Sequence, residues 1–462
     1  MSSYTTVERR SPGLGLRTKL SYGGCEVGGQ LLYTGVNTWL LYYLINVIEL
    51  RPLAAGLAFI VGRLFDAFLD PVMGELSDRF SHRIRRLTWV RWGMVPLAVA
   101  AAALWWLPSL GGPTFLLAVL GFVLLSVVFT MVQMPVLSLT PVLAPTYDER
   151  TSLTAYRMSV SVVMALVAVA APPAIVLAVS GTEELAASDT TGWIVMGGVF
   201  GALSLIGYLI VVIGVREPPP LGTHTAEPFT ARTVTSAFAV PQFRTVFIMF
   251  MLVTVGLMVA NSLLPFFLES ALGLTAGQQT VALAVLFGVA VVAIPLWAVA
   301  AEKVAKSQAF VAGIGVSVAG LLAMAWIQPD PGSPALFWFL IVVNGVGVSA
   351  VMFLPWTIIP DVIEYDELAT GQRREGLLYA LFTFGQKVAG SVGVFSTAIV
   401  TAVFGYQEGT AVQSAETVRG LAIGIGPLTA IVYVGAIVVL LRLHVSRESH
   451  AEVVRELERR RA

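Results

Sequence analysis

Apolar stretches of about 20 residues or more, each long enough to cross a bilayer as a helix, recur along the whole of this 462-residue chain. Inside a membrane the backbone must satisfy its own hydrogen bonds, which restricts such stretches to helices packed against one another. Hydropathy predicts twelve spans, near 20–48, 53–77, 87–108, 114–140, 152–180, 191–215, 242–269, 278–301, 307–328, 334–363, 374–405 and 417–442. The chain is 12% charged and 56% hydrophobic with a mean hydropathy of +0.82, whereas soluble domains carry about 25% charged residues. The expected class is an all-α, multi-pass membrane protein.

Basic residues orient it. Of the 28 lysines and arginines, Arg51 and Arg419 fall in connections on one side, and Arg63, Arg157 and Lys387 fall inside spans. The others gather on the tails, in the alternate connections or beside them. The positive-inside rule then puts both termini in the cytoplasm, as for a protein of a bacterial inner membrane. The apolar segment after residue 19 is too long for a signal-peptide core, so it is expected to stay as the first span. The longest connection, 216–241 ("REPPPLGTHTAEPFTARTVTSAFAVP"), reads as a cytoplasmic linker. It separates an N-terminal six-helix bundle (20–215) from a C-terminal one (242–443), with a segment 1–19 before and a tail 444–462 after. The tail resembles a short amphipathic helix on an anionic surface. Two bundles joined in this way suggest a transporter that rocks one half against the other.

Ionisable side chains inside a span cost a few kcal/mol each on insertion scales, so they face the bundle interior and pair. The set is Glu26 on span 1, Arg63, Asp66 and Asp70 on span 2, Arg157 on span 5 and Lys387 on span 11. Asp66 and Asp70 are four apart and share a helix face. Two carboxylates about 6 Å apart repel by roughly 3 kcal/mol at an effective dielectric near 20, which favours a bound cation or a shared proton. A structural ion-pair cluster with Arg63 is the alternative. Pro71 can kink the helix and free a carbonyl.

Two segments, "VGRLFDAFLDPVMGELSDR" and "LPWTIIPDVIEYDELATGQRREGLLYALFTFGQKVAG", resemble the glycoside–pentoside–hexuronide:cation symporters of the major facilitator superfamily. That branch includes melibiose permeases and, more distantly, vertebrate sodium-dependent lysophospholipid symporters. The resemblance runs from "KLSYGG" (19–24) through the last span, and Gly74, Asp78 and Arg79 match the superfamily pattern G-x-x-x-D-R. It implies a cation site built from Asp66, Asp70 and Thr130, with Na+ as a candidate metal at the two aspartates. Lys387 corresponds to the family lysine that neutralises those acids when the cation leaves. Melibiose permeases place a further oxygen ligand just before the second aspartate, where this chain has Leu69, so a proton stays in play beside sodium. Their two sugar-gripping aspartates align with Gln30 and Gln133, and an aromatic sugar contact with Leu137. Glutamine still hydrogen-bonds a hydroxyl but lacks the charge-assisted strength of a carboxylate.

"TAYRMSV" (154–160), "IGVREPPP" (213–220) and "FLPWTIIPDVIE" (353–364) are similar to the lysophospholipid symporters. Arg157 can bind a carboxylate, sulfonate or phosphate bidentately, or pair with Glu26. Phe353, Trp356, Tyr379 and Thr383 are candidates to line a cavity from the second half, with Lys387 reaching substrate as well. Around 360–376, Asp361, Glu364, Arg373 and Arg374 mirror Asp78 and Arg79, so an inner gate of charge pairs is expected there, with Glu26 and Arg63 as further gating candidates. The alternative for the loop charges is plain solvation.

There is no Walker sequence, no G-x-G-x-x-G after a strand and no Cys/His cluster with metal spacing. The one cysteine is Cys25, and the four histidines lie in predicted loops or tails. The chain is therefore expected to be no enzyme, to use no cofactor beyond a coupling Na+ or H+, to bind no nucleic acid and to work as a monomer in the lipid bilayer. The expected function is symport of a sugar or glycoside. A lysophospholipid or other amphipathic anion is the alternative cargo, and a non-transporting scaffold or sensor the alternative class.

Overall fold

A computed structural model describes residues 14–79, 84–144, 147–186, 188–217, 231–327, 334–371, 374–410, 412–442 and a few positions between 452 and 459. In chain order its helices are α1 (Leu16–Gly23), α2 (Cys25–Asn46), α3 (Pro52–Arg79), α4 (Arg86–Trp106), α5 (Thr114–Leu137), α6 (Thr140–Leu143), α7 (Tyr147–Ser180) and α8 (Thr190–Gly214), then α9 (Ala231–Phe238), α10 (Pro241–Phe266), α11 (Ala276–Lys303), α12 (Lys306–Ile327), α13 (Pro334–Thr370), α14 (Glu375–Val403), α15 (Ala415–Ile423) and α16 (Thr429–Leu441). Eleven of the described helical segments are long and apolar enough to cross a membrane, α15 and α16 counting as one. The twelfth expected span is α2, whose 22 residues reach about 33 Å. Glu26, Gln30, Asn37 and Thr38 dilute its hydropathy. They are tolerable because α2 is sheathed by protein: every residue from Gly35 to Asn46 is buried.

α2 packs on α7 and α8, α3 on α5, and α4 on α5 and α8; α10 packs on α14 and α16, and α13 on α11 and α12. The two sets meet where α3 lies on α14, α7 on α11 and α2 on α10. Because the helices alternate in direction, α1 and the last turn of α16 share one end of the bundle. This is the near end; the other is the far end.

Several boundaries differ from expectation for visible reasons. The first span is interrupted at Gly24, where it crosses α8 backbone to backbone: a Cβ on Gly24 would sit 2.8 Å from the Gly207 carbonyl oxygen. Such approaches of small residues are a main source of helix packing in membranes. α3 runs on through Pro71 as helix. α13 extends to Thr370, seven residues past the expected 363, so Glu364 and Asp366 ride on a helical extension rather than in a loop, directly after Asp361. Within the expected linker, residues 231–238 form α9. After Pro265 and around Pro427 the backbone widens into π turns, Phe267–Ala271 and Gly424–Leu428, as a residue without an N–H permits.

Candidate ion-coupling site

The site grows from the register of three helices. α3 and α5 run side by side in the same direction. Gly62 lets them touch, since a Cβ there would lie 2.3 Å from the Phe122 ring. Two turns on, the same register sets Thr130 of α5 beside Asp70 of α3, and its hydroxyl donates to Asp70 Oδ1 at 3.1 Å. α14 lies antiparallel against the other flank of α3. Gly56 faces Phe395 and Ala398, Phe68 meets the Phe384 ring edge at 6.4 Å, and Lys387 arrives level with the acids.

Lys387 enters between the two carboxylates. Its Nζ lies 2.9 Å from Asp66 Oδ2 and also donates to Asp70 Oδ2. Asp66 has a second cation, Arg63, one turn earlier at 3.1 Å. Arg63 in turn donates to the Asn37 side chain on α2 and sits over the rings of Tyr33, Phe59 and Phe122 at 4.9, 5.5 and 5.6 Å. Arg63 is thus fixed on several sides, by a carboxylate, an amide and three π faces. Two acids and two bases make a neutral chain, Asn37–Arg63–Asp66–Lys387–Asp70–Thr130. Asp66 is 4% exposed at its side chain, Lys387 12% and Asp70 20%, so Asp70 and Lys387 form its more open end. Among the described residues no group of three or more His, Cys, Asp or Glu converges as for a transition metal. The donor set of two carboxylates and a hydroxyl suits a hard monovalent cation or a proton.

A second polar group lies nearer the start of α2. Arg157 Nε is 3.4 Å from Glu26 Oε1, and Ser161 also hydrogen-bonds Glu26. The pair is loose: Arg157 Nε is buried without a hydrogen-bond partner among the described residues, and Nη2 reaches the Met158 sulfur at 4.0 Å. Gln133 is buried and accepts from the Tyr208 hydroxyl at 2.6 Å. It can approach α2 because position 29 is glycine, whose Cβ would stand 3.0 Å from Gln133 Nε2. Gln30 donates to Thr34 at 2.8 Å.

In the second half, Phe353 is partly buried against the core. Trp356 is 36% exposed and sets its edge on Phe250 at 5.0 Å. Tyr379 is partly buried, while Thr383 is exposed and donates to the backbone of Tyr379 and Ala380. At the near end Asp361 pairs with Lys306 at 2.7 Å. Arg374 clamps Asp366 through Nε and Nη2 at 2.9 and 2.7 Å and reaches Ser236 of α9 at 2.5 Å. These contacts lie within the second half and tie α9 to it. Glu364 occupies the same stretch of α13. Asp78 and Arg79 close the last turn of α3, but their side chains, like all of Arg373, lie outside the described residues. Glu26 and Arg63 both pair inside the first half.

Sequence reasoning passed over Asn37, Lys306 and Glu269. Asn37 has the signal of an amide in mid-span. Glu269 stands at the edge of the seventh span, where an acid passes for a loop residue, yet it is buried.

The chain is 26% identical to the uncharacterized symporter sll1374 of Synechocystis, covering 96% of each chain. It is 23% identical to the sodium-dependent lysophosphatidylcholine symporter 1-A of Danio rerio, over 84% of this chain and 78% of that one, and 26% identical to the sphingosine-1-phosphate transporter MFSD2B of Mus musculus, over 94% and 90%. In fold it is similar to the nucleoside transporter NupG (TM-score 0.66, 14% identity, 93% and 100% covered). It is also similar to a bacterial homolog of the lysosomal transporter Spinster (0.67, 15%, 92% and 95%). A family model described as MFS/sugar transport protein matches residues 21–447, nearly the whole chain. The chain therefore belongs to the MFS/sugar transport protein family: it is a multi-pass membrane transporter and not an enzyme.

Proposed function

We propose that the protein is a cation-coupled symporter in which a monovalent cation, Na+ or H+, exchanges with the Lys387 ammonium at Asp66, Asp70 and Thr130. The observation that carries this reading is Lys387, which comes from the second half and bridges two carboxylates of the first. A lysine there holds the charge that an arriving cation would supply. When the cation binds, Lys387 is freed and the contact between α3 and α14 loosens, which couples ion occupancy to the relative position of the halves. By linkage, cation and cargo each raise the other's affinity. Arg63 holds Asp66 from behind throughout, so Asp70 is the carboxylate that changes partner.

For the cargo, Arg157 favours an amphipathic anion of the lysophospholipid class. Its guanidinium keeps an unsatisfied buried N–H, so an anionic headgroup would gain charge-assisted bonds there. The two lipids for which relatives are named, lysophosphatidylcholine and sphingosine-1-phosphate, share a phosphate, zwitterionic as phosphocholine in the first and anionic in the second. Gln133 is engaged by Tyr208, which weakens it as a substitute for a sugar-gripping carboxylate. A glycoside is the second reading, favoured by the family description and by the free end of Gln30, with Phe353, Trp356, Tyr379 and Thr383 facing it from the second half. Both termini are assigned to the cytoplasm of a bacterial cell, so the near end is inside. Asp361, Glu364, Arg373 and Arg374 are then the proposed partners of Asp78 and Arg79 in an inner gate formed when the near end closes, for which Asp361 and Arg374 must leave Lys306 and Asp366, and the protein works as a monomer.

The test is uptake into proteoliposomes with an imposed sodium or proton gradient, comparing a labelled lysophospholipid with a labelled glycoside. Gradient-driven accumulation that fails in both Asp66→Asn and Asp70→Asn is expected. Undiminished gradient-driven uptake in both variants removes the cation from this site. Arg157→Lys should cost an anionic cargo at least about tenfold in apparent affinity, since lysine cannot reproduce the fork. The same change should leave a neutral glycoside little affected.

A further inference from the structure

Glu269 stands at the far end of α10, inside the π turn, and is 3% exposed. Each of its carboxylate oxygens accepts from the other half of the molecule. Oε2 takes the Tyr42 hydroxyl of α2, and Oε1 takes the backbone N–H of Ala186, in the connection between α7 and α8, at 2.9 Å. The same seam is drawn together by the Ala276 N–H, which donates to the Glu183 carbonyl at 2.7 Å, and by the Tyr42 and Phe266 rings at 5.0 Å. Tyr42 is itself held by Trp39 and Trp193 at 5.8 and 5.9 Å, so it presents its hydroxyl from a rigid aromatic block.

We propose that Glu269 is the gating residue of the far gate: its carboxylate latches the second half onto Tyr42 and the 183–186 segment, and the latch must part each time the far side opens. A buried carboxylate that loses a donor is costly. Removing either partner therefore raises the energy of the far-closed state, while the open state, with both groups in water, is unaffected. The π turn serves this purpose, because it widens the helix at the position from which Glu269 must reach two separate elements. The inference rests on the protein alternating between two access states, but not on the identity of ion or cargo.

The test uses spin labels on cysteines placed at two exposed far-end positions, Leu110 of the first half and Val412 of the second, in the full-length chain with Cys25→Ser. Distance distributions are read in nanodiscs without cargo. Tyr42→Phe and Glu269→Ala should each raise the ratio of long to short distances by about tenfold, the size of one lost hydrogen bond to a charged group. The double variant should show little more than the stronger single one, because both remove one interaction. Unchanged distributions in Tyr42→Phe, which keeps the ring packing, would overturn the latch, as would strictly additive shifts. A shift in these distances alongside undiminished uptake in both Asp66→Asn and Asp70→Asn would leave the latch standing and sink the cation site instead.

Discussion

Replacing Lys387 with glutamine is the sharpest probe of the ion-coupling site. In the wild type the Nζ group neutralises two carboxylates at once, from 2.9 Å in the case of Asp66. Without it, Asp66 keeps Arg63 at 3.1 Å, but Asp70 keeps only the Thr130 hydroxyl. At a separation of about 6 Å and an effective dielectric near 20, the exposed repulsion is about 3 kcal/mol. That destabilises the ion-free protein and adds to the affinity of any cation that relieves it, by roughly a hundredfold. The assay is thermal unfolding of the purified protein in detergent, titrated with sodium chloride against choline chloride at two pH values. The variant should melt lower than wild type without sodium, recover as sodium is added, and reach half-recovery at about one hundredth of the wild-type sodium concentration. If the coupling ion is a proton, acid replaces sodium as the restoring agent. Adding Asp70→Asn should restore ion-free stability and abolish the ion response, because the repulsive pair is gone. An unchanged melting temperature in Lys387→Gln, with no ion dependence at either pH, would refute the reasoning outright.

Thr130→Val removes one ligand from Asp70 and should weaken cation binding about tenfold, read from the same sodium titration, without lowering the ion-free melting temperature appreciably. Arg63→Met leaves Asp66 buried with Lys387 as its remaining cation, and breaking a buried pair in this way costs about 3–5 kcal/mol; a marked fall in melting temperature is the expected reading. Gly62→Ala forces a methyl against the Phe122 ring, 2.3 Å away. Overpacking of this kind costs about 1–3 kcal/mol, and prising α5 off α3 should also draw Thr130 away from Asp70, so stability and sodium affinity fall together.

Apolar run length made the bundle legible in the sequence, because it acts through the bilayer and needs no knowledge of partners. The pairing of Asp66 with Asp70 was legible from their spacing, and the charge of Lys387 made it a candidate partner, but Thr130 and the level at which Lys387 meets the acids were legible only through resemblance. Nothing in the spacing of Lys387 says that α14 lies antiparallel on α3 at that level. Helix ends were harder. The extension of α13 to Thr370 crosses polar residues that read as a loop, since hydropathy reports where the lipid ends and not where the helix does. Asn37 and Glu269 escaped because a single amide or an acid at a span's edge has no pattern; each gains meaning only from a neighbour on another helix.

The polar, protein-sheathed character of α2 bears on how the chain is made. A segment carrying Glu26, Gln30 and Asn37 is a poor candidate for leaving the translocon alone, since lipid offers those groups nothing. Its stable integration is expected to await α7 and α8, which are synthesised more than a hundred residues later. The first span of this transporter thus lacks its protein sheath until α7 and α8 follow, and truncations that end before α7 should be degraded rather than inserted.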